Sequence, residues 1–130
     1  MKKAQKLIEH NDFKELSKYL LQFEDDKTGL ESILYKMVDE ALILIFLMTT
    51  IANKRNITFW YNIIGDFLLI GTPSIAGSSR LALHMFKKSF EINPKDKDTL
   101  RAILDFKKYY IGILTDSEFK YYSEFLLPHE

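Results

Sequence analysis

This sequence of 130 residues contains no cysteine, and that absence excludes several kinds of chemistry at once. Without thiols the chain cannot form a disulfide, a thiolate zinc site or a cysteine nucleophile. A chain of this length can bury enough of its surface to fold without a covalent staple. We therefore expect a protein of a reducing compartment, specifically the cytoplasm.

A surplus of charge is missing as well, since 18 Lys and Arg residues balance 18 Asp and Glu residues. Proteins that bind nucleic acid need an excess of cations to displace the counterions of the phosphates. No basic run here is longer than a pair such as Lys87-Lys88. We expect no nucleic-acid partner.

The sequence also lacks a hydrophobic run of the length that crosses a bilayer. Its most apolar segment, residues 41–52, has about a dozen residues, whereas a membrane span needs roughly twenty. Charged residues flank the segment at Asp39-Glu40 and Lys54-Arg55. We interpret it as a buried central helix and expect no membrane partner.

Motifs for metal binding, nucleophilic catalysis and phosphate binding are not found. The three histidines, His10, His84 and His129, form no His-x-x-x-His pair. Gly77-Ser78-Ser79 lacks the Gly-x-Ser-x-Gly elbow, and the glycines are spaced for turns rather than for a phosphate loop. We predict no catalytic residue, no metal and no cofactor, and hence a protein that is not an enzyme.

Helical periodicity is present along nearly the whole chain, whereas strand alternation is almost absent. Apolar residues recur at intervals of three and four, and capping-box spacing marks helix starts at Asp12-x-x-Glu15, Thr28-x-x-Glu31 and Thr115-x-x-Glu118. Asp96 is a further candidate cap. We predict an all-α fold of six to seven helices in a single domain, residues 1–130, with the helix at 29–53 as its spine. The predicted helices cover residues 3–10, 12–24, 29–53, 57–70, 79–92, 97–112 and 116–127.

Residues 61–94 resemble a degenerate tetratricopeptide repeat. Small and aromatic residues follow the family's spacing in the second helix, namely Ala82, Phe86, Ser89 and the terminating Pro94. The first helix matches loosely, with Tyr61, Ile64-Gly65 and Leu68 in the family's places. The loop between the two helices is longer than in the family by about five residues. The resemblance implies a stack of helical hairpins that includes residues 61–127, while an irregular helical bundle with a chance match stays open.

The second half of the chain is also similar, as a class, to small helical-repeat proteins of bacteria. The resemblance lies in a Leu-Ala-Leu-His helix that ends in Ile-Asn-Pro-x-Asp and a closing helix that begins Leu-Thr-Asp-x-Glu. Some such proteins look like immunity proteins of toxin–immunity pairs. The resemblance implies a partner protein and no particular binding residue.

Three features of the sequence indicate residues that could contact a partner protein. First, two adjacent aromatic residues of a helix cannot both face the protein core equally. Second, acidic turns could steer a cationic partner. Third, the long loop departs from the repeat pattern. The candidate partner-binding residues are Trp60, Tyr61, Tyr121, Asp25, Asp26, Thr72, Ser74 and Ser78.

The function predicted from these observations is non-catalytic protein binding. Its most concrete form is an intracellular immunity protein that neutralises one cognate toxin domain by occlusion. The alternative is a tetratricopeptide-like peptide-binding adaptor or regulator, and a helical enzyme ranks third. No oligomeric state is predicted.

Overall fold

The computed structural model describes residues 2–126 and confirms the all-α fold. Within those residues there is no strand, and there are eight α-helices rather than the six to seven predicted. The helices are α1 (Lys2–Glu9), α2 (Phe13–Leu21), α3 (Lys27–Lys36), α4 (Ala41–Arg55), α5 (Thr58–Asp66), α6 (Ser78–Ile92), α7 (Lys97–Tyr109) and α8 (Asp116–Ser123). Turns follow α8 as far as Leu126, and the predicted helix end at residue 127 lies outside the described residues.

The additional helix arises because the predicted spine at 29–53 is interrupted. Met37 leaves the helical region with φ −121° and ψ 31°, and a 3₁₀ turn at Val38–Glu40 separates α3 from α4. An uninterrupted helix over 29–53 would be about 38 Å long. The break lets α3 pack against residues 67–71 while α4 packs against α2 and α5. The apolar spacing continues across the break, so the sequence pattern did not show it.

Side-chain caps fix several helix starts, largely where the sequence predicts them. Asp12 caps α2, Asp96 caps α7, and Thr115 with Glu118 forms a complete capping box at α8. The predicted cap at Thr28 is wrong. Asp26 caps α3 instead, because its Oδ1 accepts the backbone N–H of Gly29 at 3.0 Å, and the helix therefore starts at Lys27.

Helices α5 and α6 form a hairpin that is closed by a tight helix contact. The loop between them is closed by a hydrogen bond in which the Ser78 hydroxyl donates to the carbonyl of Thr72 at 2.8 Å. Beyond the loop, Gly65 in α5 lies against the ring of Phe86 in α6, so the chain reverses direction between the two helices. A Cβ placed on Gly65 would be 2.6 Å from Cζ of Phe86, so any other residue would have to displace that buried ring. Phe67–Gly71, at the end of α5, adopts a π-helical turn.

A second hairpin, formed by α7 and α8, packs on the first. The ring of Phe86 meets that of Phe106 with centroids 6.3 Å apart, and Phe90 meets Tyr122 at 5.2 Å. Ala82, Phe86 and Ser89, which carry the repeat resemblance, are all buried. These ring contacts join α6 to α7 and to α8, while a hydrogen bond from Asn62 to Thr99 links α5 to the start of α7.

The N-terminal half joins this stack through α4 and through the last turn of α3, where the ring of Tyr35 lies 5.9 Å from that of Phe67. Helix α1 packs on α2, α2 on α4, and α4 on α5. Among residues 2–126, no helix combines the length and the apolar character needed to cross a membrane.

Candidate partner-binding surfaces

Two of the predicted contact residues, Trp60 and Tyr61, belong to the core. Trp60 has no exposed surface and Tyr61 has 4%. Helix α5 is packed between α4 and α6, so two of its faces are buried and adjacent aromatic residues can both point inward. The expectation that one of them faces a partner is therefore wrong for this structure.

The buried Trp60 belongs to a polar clamp that joins α4 and α5 to the turn after α2. Its indole N–H donates to Oε1 of Glu24 at 2.8 Å. Arg55 donates to both carboxylate oxygens of Glu24, at 2.8 and 2.7 Å. The hydrogen bonds from Arg55, and then the one from Trp60, hold the pKa of Glu24 below its usual range.

Thr72 and Ser78 are buried as well, because they close the long loop between α5 and α6. The Thr72 hydroxyl donates to the carbonyl of Leu68 at 3.2 Å, and Ser78 donates to the carbonyl of Thr72. The carbonyl of Thr72 also accepts the backbone N–H of Ile75 at 3.2 Å, so backbone and side-chain hydrogen bonds together hold the loop. The loop still presents Ser74 and Ile75 at the surface.

The other predicted contact residues are exposed, but the structure does not bring all of them together. Asp26 is used as the cap of α3, while its neighbour Asp25 borders a groove. Tyr121 is 55% exposed on α8, where its ring stacks edge-on against Phe125 at 5.2 Å. Ser74 lies in the loop that precedes α6, and neither Ser74 nor Tyr121 lines that groove.

The groove lies between α5, the start of α7 and the start of α3. It consists of two adjoining depressions of about 160 and 300 Å³ that share Lys27, Asn62, Asp66 and Asp98. Its floor includes the ring of Phe86. We call this surface the acidic groove and define it by Asp25, Lys27, Asn62, Asp66, Asp96 and Asp98.

Hydrogen bonds fix the walls of the acidic groove. The Asn62 amide donates to the hydroxyl of Thr99 at 3.1 Å, which links α5 to α7. The Thr99 hydroxyl is also 3.0 Å from a carboxylate oxygen of Asp96, the cap of α7. The two helices therefore present their polar side chains in a fixed relation.

The electrostatics of the acidic groove favour a cationic occupant. Asp66 is half-buried, and its desolvation raises its pKa, although Lys27 at 3.4 Å acts in the opposite direction. Asp25 and Asp98 are exposed at the rim. This lining holds one lysine and four carboxylates, and Arg101 outside it pairs with Asp98 at 3.7 Å. A bound cation would favour the ionised form of Asp66.

A second surface is apolar and lies on the outer side of α4. Leu42 is 72% exposed and Phe46 is 70% exposed, with Val38 preceding them by one turn. Ile75 of the long loop borders the same side, and together with residues 38–43 it lines a depression of about 380 Å³. We call the surface formed by Val38, Leu42, Phe46 and Ile75 the α4 outer face.

The α4 outer face corrects the interpretation of residues 41–52 as a buried helix. Only one side of α4 is buried, through Ala41, Leu44, Leu47, Met48, Ile51 and Ala52. A helix that is apolar all round is normally enclosed, so the exposed apolar side of α4 is a candidate interaction surface. The signal was present in the sequence, since Leu42 and Phe46 lie four residues apart and opposite the buried stripe.

The buried polar side chains of the described residues serve the fold. Within residues 2–126, each fully buried side-chain nitrogen or oxygen has a hydrogen-bond partner. The same residues contain no group of three or more His, Asp or Glu side chains arranged to hold a metal ion. Both candidate surfaces are accordingly described by their shape, charge and exposed apolar area.

Searches of protein-family models, of curated proteins and of solved structures find no match to this chain. The candidate function is therefore argued from the two surfaces.

Proposed function

We propose that this chain is a non-catalytic protein-binding protein of the bacterial cytoplasm. In its most concrete form it is an immunity protein that neutralises a cognate toxin by covering the toxin's active site or substrate entrance. The observation that carries this proposal is the acidic groove, an open channel between the first helices of two packed hairpins that is lined by carboxylates from three segments of the chain.

The charge of the acidic groove supports a toxin that acts on nucleic acid. Such an enzyme carries a surplus of Lys and Arg where it binds phosphates. Exposed carboxylates such as Asp25 and Asp98 would meet that cationic surface and raise the rate of association at low ionic strength. Neutralisation would then be occlusion of the nucleic-acid site, with no chemical step.

The experiment is affinity capture of the partner with the wild-type chain and with two variants of equal charge. The groove variant is Asp25→Asn with Asp98→Asn. Asparagine is chosen at position 25 because Asp25 has a φ of +68°, which asparagine tolerates. The control variant is Glu9→Gln with Asp105→Asn, which removes two exposed carboxylates outside the groove.

We expect the wild-type chain to capture one protein at near-equal stoichiometry. The groove variant should associate with that protein on the order of tenfold more slowly at low salt, while the control variant changes the rate less than about threefold. Co-expression of wild type should also restore growth to cells that make the captured toxin. Equal losses in both variants, or a captured protein that is not toxic, would contradict the proposal.

A peptide-binding adaptor is the second candidate, and the shape of the acidic groove favours it. The two depressions join along α5 and α7, so an extended basic segment of a partner could lie across both of them. The capture experiment separates the candidates. One stoichiometric partner supports immunity, whereas several weakly bound proteins with a shared basic segment support the adaptor.

A further inference from the structure

We infer that the α4 outer face is an interface between two copies of this chain, in which the two α4 helices pack antiparallel about a two-fold axis near Phe46. This interface would use none of the residues that define the acidic groove, so it is a property beyond the proposed function. We therefore expect dimer formation and partner binding to be independent of each other.

The first observation is that two large apolar side chains of this face lie mostly in solvent. Leu42 and Phe46 are one helical turn apart on the side of α4 that faces away from the buried stripe. Exposing side chains of this size costs free energy that a matching apolar surface would recover. A second copy presents such a surface by symmetry.

The polar residues on the same side of α4 are also suited to close packing. The Thr49 hydroxyl donates to the carbonyl of Ile45 at 2.7 Å, and the Thr50 hydroxyl donates to the carbonyl of Phe46 at 3.0 Å. Both hydroxyls are already satisfied inside the helix, so covering them leaves no unpaired donor. Thr50 is one turn beyond Phe46, where it would face Leu42 of the second copy.

Charge complementarity selects the second copy and its direction. Asp39 and Glu40 are exposed beside the N-terminal end of the face. Lys54 is also exposed and flanks the C-terminal end, since it lies eight residues beyond Phe46 and about 80° round the helix. In an antiparallel pair centred on Phe46, residues whose numbers sum to about 92 lie opposite each other, so Lys54 of each copy falls beside Asp39 of the other. A parallel pair would place like charges together. The antiparallel arrangement also opposes the two helix dipoles favourably.

The size of the contact indicates a weak dimer. Helix α4 has 15 residues, which corresponds to a length of about 22 Å. A contact of that length, even with Val38 and Ile75 added, is below the roughly 800 Å² per partner of a typical stable interface. We therefore expect association that depends on concentration in the micromolar range.

The test is sedimentation velocity of the full chain over a range of about 10 to 500 µM. The wild-type mass should rise from 15.3 kDa toward twice that value as concentration increases. Phe46→Glu should raise the dimer dissociation constant at least tenfold. The control is Ile111→Glu, which also replaces an exposed apolar side chain by glutamate, at a position that is 91% exposed in the turn before α8. It should leave the dissociation constant unchanged.

A charge exchange tests the antiparallel direction independently of Phe46. Lys54→Glu alone, and Asp39→Lys with Glu40→Lys, should each weaken the dimer, and the three substitutions together should restore it. A wild-type chain that stays at 15.3 kDa, or equal effects of the two glutamate variants, overturns the proposal. Failure of the charge exchange to restore association overturns the antiparallel arrangement. A different protein that needs Phe46, bound by a chain that is monomeric when free, assigns the face to that protein and likewise overturns the proposal.

Discussion

The acidic groove and the α4 outer face differ in how far the fold already uses their residues. In the groove, Asp96 caps α7, Asp66 pairs with Lys27, and the floor is the buried ring of Phe86. On the α4 outer face, Leu42 and Phe46 stand mostly in solvent. Substitutions at these groove residues should therefore change the stability of the fold as well as binding. Substitutions on the α4 outer face should change binding alone.

The largest expected effect on stability comes from a comparison of phenylalanine-to-alanine substitutions, one at each surface. Phe86→Ala should lower the free energy of unfolding by about 4 kcal/mol, because it empties the space between Gly65 and Phe106. Phe46→Ala should change it by less than about 0.5 kcal/mol. Urea denaturation at low micromolar concentration measures both values. Similar losses at the two positions would contradict the distinction between the surfaces.

The second-largest expected effect concerns Gly65, which contacts Phe86 beneath the acidic groove. Gly65→Ala should cost about 2 kcal/mol, since the new Cβ would displace the ring of Phe86. It should also weaken partner capture, because that ring forms the floor of the groove. The control is Gly112→Ala, where the backbone has φ +85° and nothing lies within 4 Å of the new Cβ.

The control substitution at Gly112 should cost about 1 kcal/mol through backbone strain alone. It should leave partner capture intact. If Gly65→Ala were as mild as Gly112→Ala and left capture unchanged, the close contact between α5 and α6 would not shape the groove.

The smallest predicted effect concerns Glu24, whose clamp lies outside both surfaces. Glu24→Gln should cost about 1 kcal/mol or less at neutral pH, because the ion pair with Arg55 is partly exposed to solvent. The lowered pKa of Glu24 in the folded chain stabilises the fold above the ordinary value of 4.5. That contribution is lost as the pH falls through the lowered pKa.

Unfolding measurements between pH 7 and pH 3 check this prediction. The difference between wild type and Glu24→Gln should be constant near neutrality and shrink in the acid range. A difference that persists undiminished at pH 3 would show that the carboxylate charge is not what stabilises the clamp.

Much of the helical framework could be predicted from the sequence, because it follows from local chemistry. The caps at Asp12, Asp96 and Thr115 depend on residues three positions apart, and all three are confirmed. The break at Met37 was missed because it depends on what α3 and α4 pack against. Trp60 was misplaced for the same reason, since its burial follows from neighbours on two sides of α5.

The candidate surfaces were accessible to sequence reasoning to different degrees. Leu42 and Phe46 show a four-residue spacing that could have marked an exposed apolar side. The acidic groove has no local pattern, because Asp25 comes from a turn, and Asp66 and Asp98 come from two helices, that meet only in the folded chain. Asp25 was predicted as a partner-binding residue because of its charge at a turn. The structure shows that it borders the acidic groove.

The central claim is that the acidic groove binds the partner while the α4 outer face joins two copies of the chain. The most direct test is partner affinity, measured by titration calorimetry, for two variants side by side: Asp25→Asn with Asp98→Asn, and Phe46→Glu. The account predicts that the groove variant loses affinity for the partner on the order of tenfold and still dimerises, whereas Phe46→Glu keeps wild-type affinity and is monomeric. Loss of partner affinity in Phe46→Glu, with the groove variant unaffected, would contradict it.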